Sequence, residues 1–109
     1  MAWLVRGDDV LAAVEVADTR RAKRKGLLGR DHVEGAFVLQ RCRSVHTFGM
    51  RFPIDVAFCD RSGVVVHIAT MRPWRVSKMV PRSAFVIESQ AGSLDRWALR
   101  VGDEVEVRA

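Results

Sequence analysis

Ile54-Asp55-Val56-Ala57-Phe58-Cys59-Asp60-Arg61-Ser62-Gly63-Val64-Val65-Val66-His67-Ile68-Ala69-Thr70 reads as two strands joined by a tight turn. Ile54, Val56 and Phe58 alternate with Asp55, Ala57 and Cys59, the period-two pattern of a strand whose two faces differ. Asp60-Arg61-Ser62-Gly63 supplies turn residues, and Val64 to Thr70 is rich in β-branched side chains, so the two runs form a hairpin.

Outward from this hairpin the chain keeps the same grammar. Ala36 to Leu39 and Ala84 to Glu88 are short apolar runs of strand length, and Val105 and Val107 alternate with acids in Glu104 to Arg108. Trp3 to Val16 predicts a second hairpin around Gly7-Asp8-Asp9. Asp18-Thr19 offers an N-cap for a helix over Arg20 to Leu28, which Gly29 can terminate. Gly26 inside that helix costs about 1 kcal/mol relative to alanine, so the helix depends on packing. Ala91 to Leu99 leaves room for a short helix at most. The expected fold is mostly β: a small single-domain β-sandwich or barrel of about six to seven short strands with one or two short helices, spanning residues 1–109. Pro73 and Pro81 bracket a basic loop, Trp74 to Val80, of a length suited to a surface flap.

Composition narrows the function classes. Lys and Arg number 18 against 13 Asp and Glu, a net charge of +5, and all the cations but Lys23, Lys25 and Lys78 are arginine. That bias is compositional as readily as it is a device for binding anions. Cys42 and Cys59 fit no zinc spacing and read as buried, inert thiols. The start, Met1-Ala2-Trp3-Leu4-Val5-Arg6, has no signal-peptide pattern, and no run approaches the roughly 18 apolar residues of a membrane span, so the expected location is cytoplasmic.

In order along the chain stand Ala17-Asp18-Thr19, Arg24, Gly26-Leu27-Leu28-Gly29-Arg30, His46-Thr47-Phe48, Met50-Arg51-Phe52-Pro53-Ile54-Asp55, Val86-Ile87-Glu88, Ala91-Gly92 and Val101-Gly102-Asp103. This series resembles the domain-of-unknown-function 192 family of small prokaryotic proteins, from about Val10 to Val107. The resemblance implies a compact, largely β domain with no established activity, and many such relatives look exported. Another version of the family's central motif has Trp-Met-Lys-Asn-Thr before Pro-x-Asp. The chain departs from it at His46 and Met50, whereas Asp55 and Glu88 fit both versions.

The segment from His46 to Asp55 concentrates the chemically capable side chains. Asp55 lies opposite Ile54, Val56 and Phe58 in the alternation, facing a cavity or solvent, or fixing a turn by bonding loop amides. Glu88 could pair with Asp55 as an acid/base couple, or salt-bridge Arg24 or Arg30 and pin the helix to the sheet. An enzyme of hydrolase or lyase type would need Asp55 and Glu88 in one pocket, with His46 as a third candidate. His46 and Met50 with Cys42 or Cys59 would suit a soft metal such as copper(I), but no ligand spacing enforces it, and Met50 fits equally as core filler. His67 reads as a strand histidine and His32 as exposed. No nucleophile elbow, metalloprotease helix or phosphate loop is present, and tyrosine is absent, so no cofactor is expected. Arg20, Arg21, Lys23, Arg24, Lys25 and Arg30, with the acid-free stretch Arg61 to Arg82 around Trp74, make nucleic acid or another polyanion a possible but not favoured partner. The preferred expectation is a non-catalytic module that presents Arg24, His46, Met50, Asp55, Trp74 and Glu88 to a small ligand or a protein partner.

Overall fold

The computed structural model describes residues 2–17 and 26–109. Seven strands form one sheet: β1 (Ala2–Arg6), β2 (Asp9–Ala17), β3 (Ala36–Gln40), β4 (Ile54–Cys59), β5 (Val65–Met71), β6 (Phe85–Gln90) and β7 (Glu106–Arg108). Among the described residues the helical content is a single turn, α1 (Ser93–Arg96). The helix expected over Arg20 to Leu28 lies largely outside the described residues. Its end is not helical: residues 26–29 run in turns, with Gly26 and Gly29 at φ 48° and 80°. Among the described residues no helix is long and apolar enough to cross a membrane.

The strand order is β5-β4-β6-β3-β2-β1-β7, with β2 and β3 parallel and every other pair antiparallel. The two edges of this order meet. Val64 bridges Glu104, Val65 N–H donates to the Asp103 carbonyl at 2.8 Å, and Val105 N–H donates to the Gly63 carbonyl at 2.9 Å. The sheet therefore curls into a barrel closed at this seam, which decides between sandwich and barrel.

Closure gives the sheet two buried faces. Inside the barrel lie Leu4, Val38, Ala57, Cys59, Val65, Ile87 and Val105, with Leu94 and Leu99 from around α1 plugging one end. Outside it, Phe37, Leu39, Ile54, Val56, Phe58 and Val86 form a second core, covered by Leu27, Val33, Val45, Met50, Phe52 and Val80 from the connecting segments. β4 is buried along its whole length for this reason. Its alternation is one of size: Ile, Val and Phe point outward into the covered core, while Ala57 and Cys59 fit the narrow interior.

Gly63 sits at φ +86°, and a Cβ there would stand 2.2 Å from the Val105 carbonyl oxygen. Gly63→Ala is expected to cost more than about 2 kcal/mol in denaturant unfolding, because both backbone strain and a clash with main chain must be relieved. Gly7→Ala, at φ +59° with open space around it, is the control and should cost about 1 kcal/mol. Equal losses at the two sites would mean that the seam contributes nothing.

Candidate functional site

Thr47 organises the site. Its side chain is fully buried, its N–H donates to the Arg75 carbonyl at 2.8 Å, and its carbonyl accepts from Trp74 N–H at 2.9 Å. Its hydroxyl donates to the Arg72 carbonyl at 2.6 Å and accepts from Arg75 N–H at 2.8 Å. Ser77 and Val80 donate to the carbonyls of Val45 and Arg43, both at 2.8 Å. The loop from Trp74 to Val80 is thus tied down along its length rather than free as a flap.

With Thr47 turned inward, its neighbours His46 and Phe48 turn outward, as alternate residues of an extended segment must. Their rings stack at 5.0 Å, and Trp74, held at φ 65°, lies 6.2 Å from Phe48. Phe48 N–H donates to His46 Nδ1 at 3.3 Å, so a neutral His46 carries its proton on Nε2. Phe48 is 45% exposed, and Trp74, Val76 and Met79 are each more than 60% exposed. Apolar rings held in the open by a buried threonine form a ledge that no packing requirement explains.

Beside the ledge opens a cavity of about 140 Å³. Leu27, Leu28, Leu39, Val45 and Met50 supply apolar wall, and Cys42, His46 and Glu88 supply polar atoms. Glu88 stands on β6 opposite Phe37 of β3 and Val56 of β4, on the covered outer face of the sheet. It is only 4% exposed, and its carboxyl has no hydrogen-bond partner among the described residues. Burial pushes its pKa up to about 7. A buried carboxyl left without donors is uncommon, and in a cavity it marks a place where something else can bind.

Asp55 is placed differently. It is buried too, but inside the barrel: Oδ1 accepts from the Thr70 hydroxyl at 2.8 Å, and Oδ2 accepts from Gly92 and Leu94 N–H at 2.9 and 3.1 Å. The carboxylate faces neither open cavity nor solvent. It does bond loop amides, though those of the remote turn that starts α1. Because Val56 rather than Asp55 pairs with Glu88, the two carboxyls sit on opposite faces of the sheet, and no acid/base couple can form between them.

Arg30 does not reach Glu88 either. Its guanidinium pairs with Glu15 at 2.8 Å and lies 5.5 Å above the Phe37 ring. Arg24 lies outside the described residues. Met50 is buried in the outer core, as a core filler is, and also lines the cavity. Cys42 and His46 share that cavity, whereas Cys59 is inside the barrel, where burial pushes its thiol up to about 12. Neither cysteine forms a disulfide, and no group of three His, Cys, Asp or Glu that could hold a metal occurs among the described residues. His67 packs its ring 5.6 Å from Phe58, and His32 is exposed beside Glu34. Arg41, Arg43, Arg61 and Arg82 gather along a separate open groove, where the Asp60 carboxylate is occupied by the Ser62 and Val64 N–H groups of its own turn.

Of the site residues, sequence reasoning missed Phe48 and the two leucines before Gly29, and weighed Cys42 only as a soft-metal ligand. Phe48 was recoverable from its i, i+2 spacing to His46. Leu27 and Leu28 were assigned to a helix, which hid their part in the cavity.

Comparison with known proteins gives a family and a fold. A family model described as Uncharacterized ACR matches residues 3–107. A UPF0127 protein of Thermococcus sibiricus is 32% identical over 99 residues, covering 85% of this chain and 64% of that protein. A UPF0127 protein of Pyrococcus abyssi is 42% identical over 65 residues, covering 58% of this chain and 54% of that protein. The chain therefore spans less than two thirds of the length of either relative. A protein of unknown function from Novosphingobium aromaticivorans superposes with a TM-score of 0.80 at 20% identity, over 96% of this chain and 82% of that one, which shows a shared fold.

Proposed function

The chain belongs to the domain-of-unknown-function 192 family, and on that premise we propose that it is a non-catalytic binding module whose recognition surface is the cavity over Glu88 together with the ledge of His46, Phe48 and Trp74. The observation that carries this reading is the Glu88 carboxyl, 4% exposed and without a hydrogen-bond partner among the described residues, facing a cavity of about 140 Å³ beside open aromatic rings. Recognition sites combine apolar wall with a few convergent polar groups, and this one has that composition. A catalytic role for the same place lacks Asp55, which belongs to the other face and is spent on three hydrogen bonds, and leaves His46 beside Glu88.

A thermal-shift panel of small ligands and peptides tests the reading. At about 100 times its dissociation constant a ligand stabilises by roughly 2.7 kcal/mol, which moves the midpoint of a domain this size by about 10 °C. Glu88→Gln should abolish such a shift. Trp74→Ala and Phe48→Ser should weaken binding about tenfold or more without unfolding the protein, because both side chains are exposed. A hit indifferent to all three substitutions would place recognition elsewhere.

The arginine groove favours a second reading. Arg43, Arg61 and Arg82 stand along it with no carboxylate at hand except the occupied Asp60, an arrangement suited to a polyanion. Nucleic-acid retention that falls with salt, and that Arg61→Glu with Arg82→Glu abolishes, would move the function there.

A further inference from the structure

We infer that the cavity over Glu88 takes a primary alkylammonium group, the end of a lysine side chain or of a free aliphatic amine, with the cation against the Glu88 carboxylate and the aliphatic stem along Leu27, Val45 and Met50. The inference rests on the binding reading above and deepens it by naming the ligand chemistry.

Size comes first. A cavity of about 140 Å³ compares with the roughly 150 Å³ cavity that holds benzene, so it takes about six non-hydrogen atoms. Nucleotides and sugars are too large. A four-carbon amine, which is what a lysine presents beyond its Cα, fits. Polarity comes next. The wall is apolar except for Arg41, Cys42, Ser44, His46 and Glu88. The Cys42 thiol donates to the Ser44 carbonyl at 3.1 Å. His46 Nδ1 is taken up by Phe48 N–H, which leaves its Nε2. Among these described lining residues Glu88 carries the carboxyl, the group that can hold a cation. The outer rings complete the match, since π faces at the mouth attract a cation and repel an anion.

The charges around Glu88 decide the sign. On β3 it faces Phe37 and on β4 Val56, neither titratable. Beyond Phe37, the Arg30 guanidinium is paired with Glu15. From the covering segment come Arg41, Cys42 and His46. No cation among the described residues forms an ion pair with Glu88. A protonated Glu88 meeting an alkylammonium ion loses its proton to solvent and forms the ion pair, so binding releases up to one proton and strengthens as pH rises.

The experiment is an NMR titration of the full chain, following cavity amides and the Glu88 side-chain carboxyl. The probes are n-butylamine, Nα-acetyl-lysinamide, butyrate and 1-butanol, at pH 6 and pH 8. The amines are expected to bind with Kd about 1 mM and about tenfold more tightly at pH 8, since both stay cationic while Glu88 ionises across that interval. By reciprocity the amine at about ten times its Kd should lower the Glu88 midpoint by about one unit. Glu88→Gln should remove the binding and its pH dependence. Tighter binding of the lysinamide would point to a polypeptide ligand, and equal affinity to a free amine. Butyrate binding that weakens as pH rises, or butanol binding as well as the amines at both pH values, would overturn the inference while leaving a binding cavity. Silence from all four probes would overturn both it and the binding reading. Titration of Glu88 in the free protein near the ordinary value of about 4.3 would overturn the inference alone, showing that a cation of the chain itself already holds the carboxyl.

Discussion

Asp55→Ala is expected to destabilise the protein by roughly 4 kcal/mol, the largest loss of any single polar substitution in the chain. The carboxylate accepts from the Thr70 hydroxyl and from the Gly92 and Leu94 N–H groups, all inside the barrel. Alanine removes the acceptor and strands the buried Leu94 N–H, at about 1–3 kcal/mol, and the less buried Gly92 N–H at a smaller cost. The α1 turn then loses its tether to β4, and Leu94 its fixed place in the interior core. In thermal melts the midpoint should fall by about 15 °C. Asp55→Asn keeps one acceptor oxygen and should lose about half as much. A loss below about 1 kcal/mol for the alanine variant would mean that the turn finds other partners. The folded fraction of Asp55→Ala should bind cavity ligands as the parent does, because the residue lies on the opposite side of the sheet. That outcome separates a structural carboxylate from a functional one.

Glu88 should give the opposite signature, little at low pH and a large effect above neutrality. Its carboxyl is pushed up to about 7 in the folded protein by burial, against 4.5 in an ordinary setting. Between those values the folded state holds a proton that the unfolded state has released, so stability falls as pH rises through the interval. Over the whole span this amounts to roughly 3 kcal/mol. Below about pH 4.5 the term is fully favourable, and above about pH 7 it is gone. Glu88→Gln removes the titration and keeps the shape, so the two proteins should differ little at pH 4.5, while at pH 8 the glutamine variant should be more stable by roughly 3 kcal/mol. Denaturant unfolding at several pH values reads this directly. Parallel curves for the two proteins would show that Glu88 ionises normally. A buried acid kept at such a cost to stability near neutrality fits a group retained for binding rather than for folding.

The two carboxylates also show where sequence reading stops. Ile54 to Thr70 specified its hairpin because every local signal agreed: period-two apolar spacing, β-branched residues and a Gly63 turn. The terminal hairpin, the short strands at Ala36 and Phe85 and the closing strand were legible for the same reason, since each rests on nearest-neighbour chemistry. The family series was legible as well, because order and spacing survive when the individual residues carry little information. The candidate site was legible only in part. His46, Met50, Trp74 and Glu88 were singled out and do lie in or beside one place, but Asp55, ranked with them, does not.

The chain by itself determined a mostly β domain of seven short strands and the motifs of its family, because those depend on contacts a few residues apart. Only the tertiary structure decided that the sheet closes through Gly63 and Val105, and that β4 is therefore buried on both faces. Only it decided that Asp55 faces inside with three donors while Glu88 faces outside with none among the described residues. Both are carboxylates on neighbouring strands, and their roles part on a one-residue difference in register. Side chains in a strand alternate faces, and sequence spacing alone does not say which residue pairs across the ladder.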